Sequence, residues 1–103
     1  MSVRWTRTAR ISRGKFMEAI AWAKEAGGYA EKKFGLPKVT VWLDAFGDIN
    51  SIRWSVDYPD LAAIDKANAQ MMADADYWKL VARAGEQQLF LDGSVHDTIS
   101  RAI

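Results

Sequence analysis

Residues 56–85 constrain the fold of this 103-residue chain more than any other segment. They predict a strand that leads into one long, interrupted helix. Pro59 suits the first turn of that helix, where its missing N–H would have had no partner, and Asp60 favours the positive helix N-terminus. Asp74 is suited to cap a new helical turn, so we expect a kink or break there. The buried stripe of this helix is predicted to contain Leu61, Ile64, Met71, Ala75, Trp78 and Ala82.

An earlier helix is predicted to begin after Gly14, where the apolar pattern acquires helical spacing. Its stripe contains Phe16, Ile20, Ala23, Gly27, Ala30 and Phe34. Gly35 in a left-handed conformation and Pro37 are expected to end it. Glycine in a buried stripe costs about 1 kcal/mol of helix stability relative to alanine. Gly27 therefore indicates that this helix lies close to a sheet.

Alternating apolar and polar residues predict four strands. Residues 3–11 form the first, with Arg7 as a charged exception on its apolar side. Residues 39–43 and 52–56 flank a turn at 47–50 and form an antiparallel hairpin. Residues 87–91 are predicted to form a short fourth strand.

Residues 95–103 admit two interpretations. Ser94 and Asp97 would form a capping box that opens a short helix, whereas alternation of Val95, Asp97 and Ile99 would continue as an extended arm. We favour a C-terminal arm that lies on a partner.

The predicted order is strand, helix, strand, strand, helix, strand, which is the ferredoxin-like βαββαβ plan of an α+β fold. A single domain, residues 1–103, would contain a four-stranded antiparallel sheet with both helices on one face. A face bearing Trp and Phe is rarely left to water, so we expect a second copy of the chain to cover the other face, pairing the sheets as a dimeric α/β barrel. That face is predicted to carry Thr40, Trp42, Asp44, Arg53, Ser55, Asp57, Gln88 and Phe90.

The composition narrows the choice of partners. Fourteen basic and thirteen acidic residues leave a net charge of +1, which argues against nucleic acid binding. The absence of cysteine excludes disulfides, thiolate metal sites and cysteine nucleophiles. No apolar stretch is long enough to span a membrane, and the first residues lack the apolar core of a signal peptide. We therefore expect a cytoplasmic protein with no membrane partner.

The single histidine, His96, stands beside Ser94 and Asp97, which together supply the residue types of a hydrolytic triad. Adjacent side chains of one short segment cannot adopt the geometry of nucleophile, base and orienting acid, so we expect a turn and a surface histidine. One histidine without a second His or a Cys also makes a poor transition-metal or haem site. We expect no metal and no cofactor.

Motifs along almost the whole chain resemble the dimeric α/β-barrel superfamily, and most of all its NIPSNAP-related and antibiotic-biosynthesis-monooxygenase-like small domains. These motifs are Arg7-Thr8, Gly14-Lys15 followed by Glu18, Tyr58-Pro59-Asp60-Leu61-Ala62-Ala63, and Met72-Ala73-Asp74-Ala75-Asp76-Tyr77-Trp78. The resemblance implies a homodimer whose two sheets face each other, with a cavity in each subunit between the sheet and its helices or loops. Members include cofactor-independent monooxygenases, haem-degrading enzymes, isomerases and proteins with no assigned activity, so the fold does not decide the function.

The haem-degrading branch uses an Asn, a Trp and a His in set positions. Here the first strand holds no Asn and His96 lies beyond the predicted fourth strand, which argues against haem degradation. We predict a homodimeric α/β-barrel protein that encloses a small, mostly apolar pocket and binds a small aromatic or polyketide-like molecule. Two alternatives stay open: a cofactor-independent monooxygenase of the antibiotic-biosynthesis type, and a purely structural dimerisation or sensing module. Whether the chain is an enzyme is left undecided.

Eight residues are candidates for lining the pocket or the barrel: Arg7, Trp42, Asp44, Arg53, Asp57, Tyr58, Trp78 and Phe90. Arg7 among apolar neighbours must meet a carboxylate, a carbonyl or an anionic ligand, and Asp44 or Asp57 would supply a carboxylate. Arg53 and Asp57 share a strand face opposite Trp42 and Asp44. They form either an acid/base pair beside a stacking wall or ion pairs in the dimer interface.

In a monooxygenase of this family, the substrate would be held by Trp42, Tyr58 or Trp78. Arg7 or Arg53 would stabilise an enolate-like anion before oxygen attacks it.

Overall fold

The computed structural model describes residues 2–103 and shows an α+β fold with the predicted antiparallel sheet. The sheet has the strand order β2-β3-β1-β4, with every neighbouring pair antiparallel, so the ferredoxin-like plan is confirmed. Among residues 2–103, no helix is both long and apolar enough to cross a bilayer. In chain order the elements are β1 (Val3–Arg10), α1 (Phe16–Phe34), β2 (Thr40–Leu43), β3 (Ser51–Tyr58), α2 (Leu61–Met72), α3 (Ala75–Glu86) and β4 (His96–Arg101).

Helix α1 ends as predicted and lies close to the hairpin. Gly35 follows it with φ of 61°, the left-handed conformation that glycine adopts without strain. A Cβ atom added to Gly27 would stand only 3.2 Å from Cγ1 of Val39. The buried face of α1 contains only small residues, which allow this approach: Ala19, Ala23, Ala26, Gly27 and Ala30.

The predicted break in the second helix is confirmed, because Asp60 and Asp74 each cap a separate helix. The Asp60 carboxylate accepts a hydrogen bond from the Ala63 amide at 2.9 Å, and the Asp74 carboxylate accepts one from the Tyr77 amide at 2.9 Å. Pro59 precedes the Asp60 cap, so its predicted position in the first turn is wrong.

The predicted buried stripe does not continue from α2 into α3. Ile64 and Ala67 are the buried residues of α2, whereas Leu61 is 46% exposed. Trp78 is 43% exposed, and Ala84 is the buried residue of α3. The break at the second cap starts a new helix axis, so the inward face of α3 cannot be extrapolated from α2.

The predicted fourth strand at residues 87–91 is wrong. Gln88 has φ of 52°, which turns the chain, and the only ladder contact in this segment is an isolated bridge between Ile11 and Phe90. Leu89 is fully buried, and its amide donates to the Ala84 carbonyl oxygen at 3.1 Å. The segment therefore anchors the end of α3 to the end of β1.

Residues 96–101 supply the fourth strand instead. Strand β4 pairs antiparallel with β1 of the same chain, with Asp97 opposite Arg7 and Ile99 opposite Trp5. Of the two interpretations of residues 95–103, the extended one is therefore right, and the capping-box helix is not formed. Residues 96–101 complete the sheet of their own chain, which differs from the expected arm lying on a partner.

The strand register separates the two faces of the sheet. The helix side holds the apolar core residues of β1 and β3, including Ala9, Ile52 and Val56. The side without helices is here called the open face. It carries five of the six predicted hairpin residues, and the sixth, Asp44, follows the end of β2. Gln88, predicted on this face, lies in the turn after α3 and in no strand. Phe90 does not lie on it and packs on the helix side. The open-face residues are Arg4, Thr6, Thr8, Arg10, Thr40, Trp42, Ser51, Arg53, Ser55, Asp57, His96, Thr98 and Ser100.

Candidate functional site

A cavity of about 70 Å³ lies between α1, the helix side of the sheet, and the junction of α2 with α3. Its walls are almost entirely apolar and include five aromatic rings. Wider surface grooves elsewhere are lined mainly by polar and charged side chains, for example Glu25, Lys79 and Arg83. The cavity is lined by Trp5, Arg7, Trp22, Ala26, Gly27, Ala30, Leu36, Val39, Trp54, Val56, Tyr58, Met71 and Tyr77.

One wall of the cavity is formed by the rings of Trp22 and Trp54, with Phe90 packed behind them. Their ring centroids are 5.5–6.2 Å apart, and all three pairs meet edge to face. The Trp22 indole N–H donates to the Leu80 carbonyl oxygen at 2.9 Å, and that of Trp54 donates to the Ala23 carbonyl oxygen at 3.1 Å. These bonds fix both rings against α1 and α3, so the wall is preformed.

Arg7 supplies the charge at the cavity, and Asp97 is its partner. Arg7 Nε and Nη2 donate to the two Asp97 carboxylate oxygens at 2.7 and 2.9 Å. Trp5 donates to the same carboxylate at 3.3 Å, and the Arg7 guanidinium carbon lies 5.2 Å from the Trp5 ring centroid. The hydrogen bond from Arg7 lowers the pKa of Asp97, and the bond to Asp97 raises the pKa of Arg7 against the opposing effect of burial.

Hydrogen bonds accepted by the Asp74 carboxylate hold Tyr77 at the edge of the cavity. The Tyr29 hydroxyl donates to Asp74 Oδ2 at 2.5 Å, and the Tyr77 amide donates to the same oxygen. The hydrogen bond between Tyr29 and Asp74 raises the pKa of Tyr29 to about 12 and lowers the pKa of Asp74. Phe34 packs edge to face on both tyrosine rings, at 6.0 and 6.3 Å. The Tyr77 ring is therefore oriented by contacts from α1 as well as by its own helix.

Two of the eight candidate residues, Arg7 and Tyr58, line the cavity. Burial raises the pKa of the Tyr58 phenol. Four others, Trp42, Asp44, Arg53 and Asp57, come from the hairpin, and three of these lie on the open face.

Neither predicted carboxylate is the partner of Arg7, so that expectation is wrong. Asp57 accepts from Arg4 at 2.8 Å, and Asp44 lies 3.3 Å from Arg53. Asp97 takes the role because it lies opposite Arg7 in the ladder between β1 and β4, on the helix side of the sheet. On the other side of β1 the hairpin strand β3 places Trp54 opposite Arg7, and Asp57 lies opposite Arg4 on the open face.

The remaining two candidates lie outside the cavity. The Trp78 indole donates to the Met72 carbonyl oxygen at 3.0 Å, and Phe90 packs behind Trp22 and Trp54. His96 is exposed at the start of β4, as a surface histidine was predicted to be.

Sequence reasoning did not select four aromatic residues of the cavity: Trp5, Trp22, Trp54 and Tyr77. Strand alternation had put Trp5 on the same side as Arg7, which was a usable signal. Trp22 falls outside the predicted stripe of α1, and the inward direction of Tyr77 depends on the helix break.

The described part of the chain, residues 2–103, brings together no group of three His, Cys, Asp or Glu side chains that would hold a metal ion. Residues 6–96 match the family described as NIPSNAP. The chain belongs to the NIPSNAP family. This membership confirms the resemblance of its motifs to the NIPSNAP-related small domains.

Solved structures share the fold of this NIPSNAP chain at low sequence identity. A NIPSNAP family protein from Agrobacterium tumefaciens matches with a TM-score of 0.82 and 16% identity, over 100% of this chain and 94% of that one. An uncharacterized NIPSNAP domain protein from Burkholderia xenovorans matches with a TM-score of 0.78 and 19% identity, over 100% and 95%.

A more distant match is SnoaB, a cofactor-independent oxygenase from Streptomyces nogalater, with a TM-score of 0.68 and 13% identity over 98% of this chain and 92% of that one. No curated protein sequence matches this chain. Matches at identities this low establish a common fold, but they do not establish a common activity.

Proposed function

We propose that this NIPSNAP protein is a homodimer in which each subunit binds a small aromatic molecule in the cavity under α1. The observation that carries the proposal is the combination of an aromatic wall with a space left unfilled. Ala26, Gly27 and Ala30 face that space, where larger side chains would have closed the core. Aromatic and aliphatic walls with few polar groups are typical of small-molecule sites.

The size of the cavity favours a single ring over a polyketide-like molecule. Its volume of about 70 Å³ is below the roughly 150 Å³ of an engineered apolar cavity that takes up benzene, and well below the roughly 300 Å³ at which ordinary ligand sites begin. A ring would have to displace a mobile wall residue or protrude from the opening. Met71 is the flexible member of the lining and is only partly buried.

The dimer half of the proposal rests on the open face. Its central residues Thr6, Thr8 and Ser55 are short and only partly or hardly exposed, so the face is flat enough to pack against a second sheet. Trp42 is 44% exposed beside them, and its indole N–H donates to the Ser55 hydroxyl at 2.8 Å. Two-fold pairing would bury this ring.

Ligand binding is tested with toluene as a single-ring probe and the indole N–H resonances of the five tryptophans as the readout. Toluene in the cavity should shift the signals of Trp5, Trp22 and Trp54. Ala30→Leu should abolish these shifts because the leucine side chain occupies the cavity, whereas Ala21→Leu on the exposed side of α1 should not. Absence of any shift in the wild-type protein would refute the binding proposal.

The dimer is tested by sedimentation equilibrium together with native mass spectrometry of freshly purified protein. Arg53 and Arg83 provide a matched pair, because both side chains are 41% exposed and each forms one surface ion pair. Arg53→Ala on the open face should weaken dimerisation, and Arg83→Ala on the helix side should not. A monomeric wild-type protein, or equal effects of the two substitutions, would contradict the paired-sheet proposal.

A second candidate function is cofactor-independent oxygenation, the activity of SnoaB, whose fold this chain shares. Among the described residues, however, the cavity lining includes no carboxylate and no imidazole that would act as a general base. Oxygen uptake with a dihydroxybenzene substrate, lost in Ala30→Leu, would support this candidate over simple binding. A module with only a structural role would show neither oxygen uptake nor indole shifts.

A further inference from the structure

The polar atoms of the cavity restrict the ligand more than its apolar walls do. The three indole N–H groups of the lining all donate hydrogen bonds within the chain. Their acceptors are the Asp97 carboxylate for Trp5, the Leu80 carbonyl oxygen for Trp22 and the Ala23 carbonyl oxygen for Trp54. The indoles therefore present only ring carbon to a ligand. The remaining polar groups of the lining are the Arg7 guanidinium and two phenols.

Arg7 keeps donors available after it has bound Asp97. A guanidinium carries five N–H groups in one plane, and the two that bond Asp97 come from Nε and Nη2. Of the other three, one faces the Tyr77 side chain, whose hydrogen bond with Arg7 also raises the pKa of the guanidinium, and two remain for a ligand. The group has no acceptor. A ligand atom that forms a hydrogen bond with Arg7 must therefore be an acceptor.

The charge of Arg7 is already balanced. Asp97 receives two N–H groups from Arg7 and one from Trp5, so it stays ionised at neutral pH and the pair has no net charge. Both side chains are less than half exposed, at 36% and 40%, so water screens them only in part. A ligand carboxylate bound to Arg7 would face a second carboxylate across one guanidinium, whereas a neutral acceptor would not.

From these contacts we propose that the cavity selects an uncharged aromatic molecule with a hydrogen-bond acceptor, such as an aryl ketone, and discriminates against aryl carboxylates because Asp97 neutralises Arg7. The proposal rests on the ligand-binding function proposed above and adds the chemical class of the ligand. Arg7 is the contacting residue, and Asp97 is a positioning residue that sets the charge of the site.

The test compares three single-ring probes: acetophenone, benzoate and toluene. Acetophenone and benzoate have the same number of non-hydrogen atoms and differ in charge, and toluene lacks an acceptor. Affinities are taken from titrations of the indole resonances of Trp5, Trp22 and Trp54, while Trp42 and Trp78 lie outside the cavity and serve as internal controls. We expect acetophenone to bind about tenfold or more tightly than benzoate, and more tightly than toluene.

The outcomes separate the two proposals. If benzoate or toluene binds as tightly as acetophenone through the cavity indoles, the selection for a neutral acceptor is overturned and the binding function survives. If no probe shifts the cavity indoles, both proposals are overturned.

Asp97→Asn tests the charge argument through the relative affinities for benzoate and acetophenone, which a purely structural role of Asp97 would leave unchanged. Removing the carboxylate charge should leave Arg7 as an unbalanced cation, so benzoate affinity should rise about tenfold relative to the wild type while acetophenone affinity stays within a few-fold. Asp57→Asn is the matched control, because Asp57 accepts from Nε and Nη2 of Arg4 at 2.8 and 3.1 Å on the open face. An unchanged preference in Asp97→Asn would contradict the proposal, and the wild-type comparison decides it if that variant does not fold.

Discussion

The neighbouring glycines Gly27 and Gly28 allow a quantitative test of how closely α1 approaches the hairpin. Both lie inside α1, so replacing either by alanine should gain the same helix propensity, about 0.8–1 kcal/mol. A Cβ atom at Gly28 would meet nothing within 4 Å. Gly28→Ala should therefore raise the free energy of unfolding by about 1 kcal/mol, which corresponds to roughly 4 °C or more in Tm.

The substitution Gly27→Ala gains the same propensity but adds a close contact. Its Cβ would lie 3.2 Å from Cγ1 and 3.7 Å from Cβ of Val39, and 3.8 Å from Cγ2 of Val41. Carbon atoms prefer separations of about 3.5–4.0 Å, so Val39 would have to move by a few tenths of an ångström. Overpacking of this kind costs about 1–3 kcal/mol, so Gly27→Ala should leave stability unchanged or lower it by up to about 2 kcal/mol.

Urea unfolding followed by circular dichroism measures the difference between the two variants. All samples are compared at one protein concentration, because a dimer would make apparent stability depend on concentration. Equal stabilisation by both substitutions would show that α1 does not press on Val39 and would refute the reasoning. Because Gly27 lines the cavity and Gly28 does not, only Gly27→Ala should also weaken toluene binding.

Three further predictions concern stability. Leu89→Ala should lower the free energy of unfolding by about 2–5 kcal/mol because Leu89 is fully buried in the 87–91 loop. The control Leu91→Ala, at 47% exposure, should have little effect. Equal effects of the two substitutions in urea unfolding would contradict the role of Leu89 in anchoring α3 to β1. Asp60→Ala should cost about 1 kcal/mol through loss of the α2 cap, with Asp60→Asn retaining most of the stability in thermal melts. The pKa of Asp97 is lowered in the folded chain, so the stability that it contributes is complete above the unfolded-state value near 3.9 and is lost as the pH falls through the folded value. The difference in free energy of unfolding between wild type and Asp97→Asn should accordingly be constant above about pH 5 and disappear in acid. A difference that persists to low pH would exclude the ion pair of Arg7 and Asp97 as its source.

Much of the fold was predictable because its signals are local. Strand β1, helix α1 and the hairpin follow from the spacing of apolar residues over a few consecutive turns or pleats. The break at Asp74 follows from a cap that bonds an amide three residues later, the Tyr77 N–H. The open-face position of Trp42 opposite Arg53 follows from strand alternation alone once the hairpin is recognised.

The identity of the fourth strand was not predictable from local pattern. Residues 87–91 and 96–101 both contain short alternating stretches, and either suits the edge of a sheet. The choice depends on which segment complements β1. Asp97 meets Arg7 across the ladder, whereas Leu89 fills the end of the core beside Ala84. These contacts join segments far apart in the chain, so no window of the sequence contains them.

For the candidate site, too, local sequence patterns predicted one part and contacts between distant segments decided the rest. The sequence by itself determined that Arg7 stands among apolar neighbours and needs a polar partner, because strand periodicity is a property of adjacent residues. Only the tertiary structure decided that the partner is Asp97, 90 residues later, and that Trp22 and Tyr77 join the wall of the cavity. A cavity is the space that packed elements leave unfilled. Its existence and its charge balance are therefore set by distances between elements and not by the order of residues within any one of them.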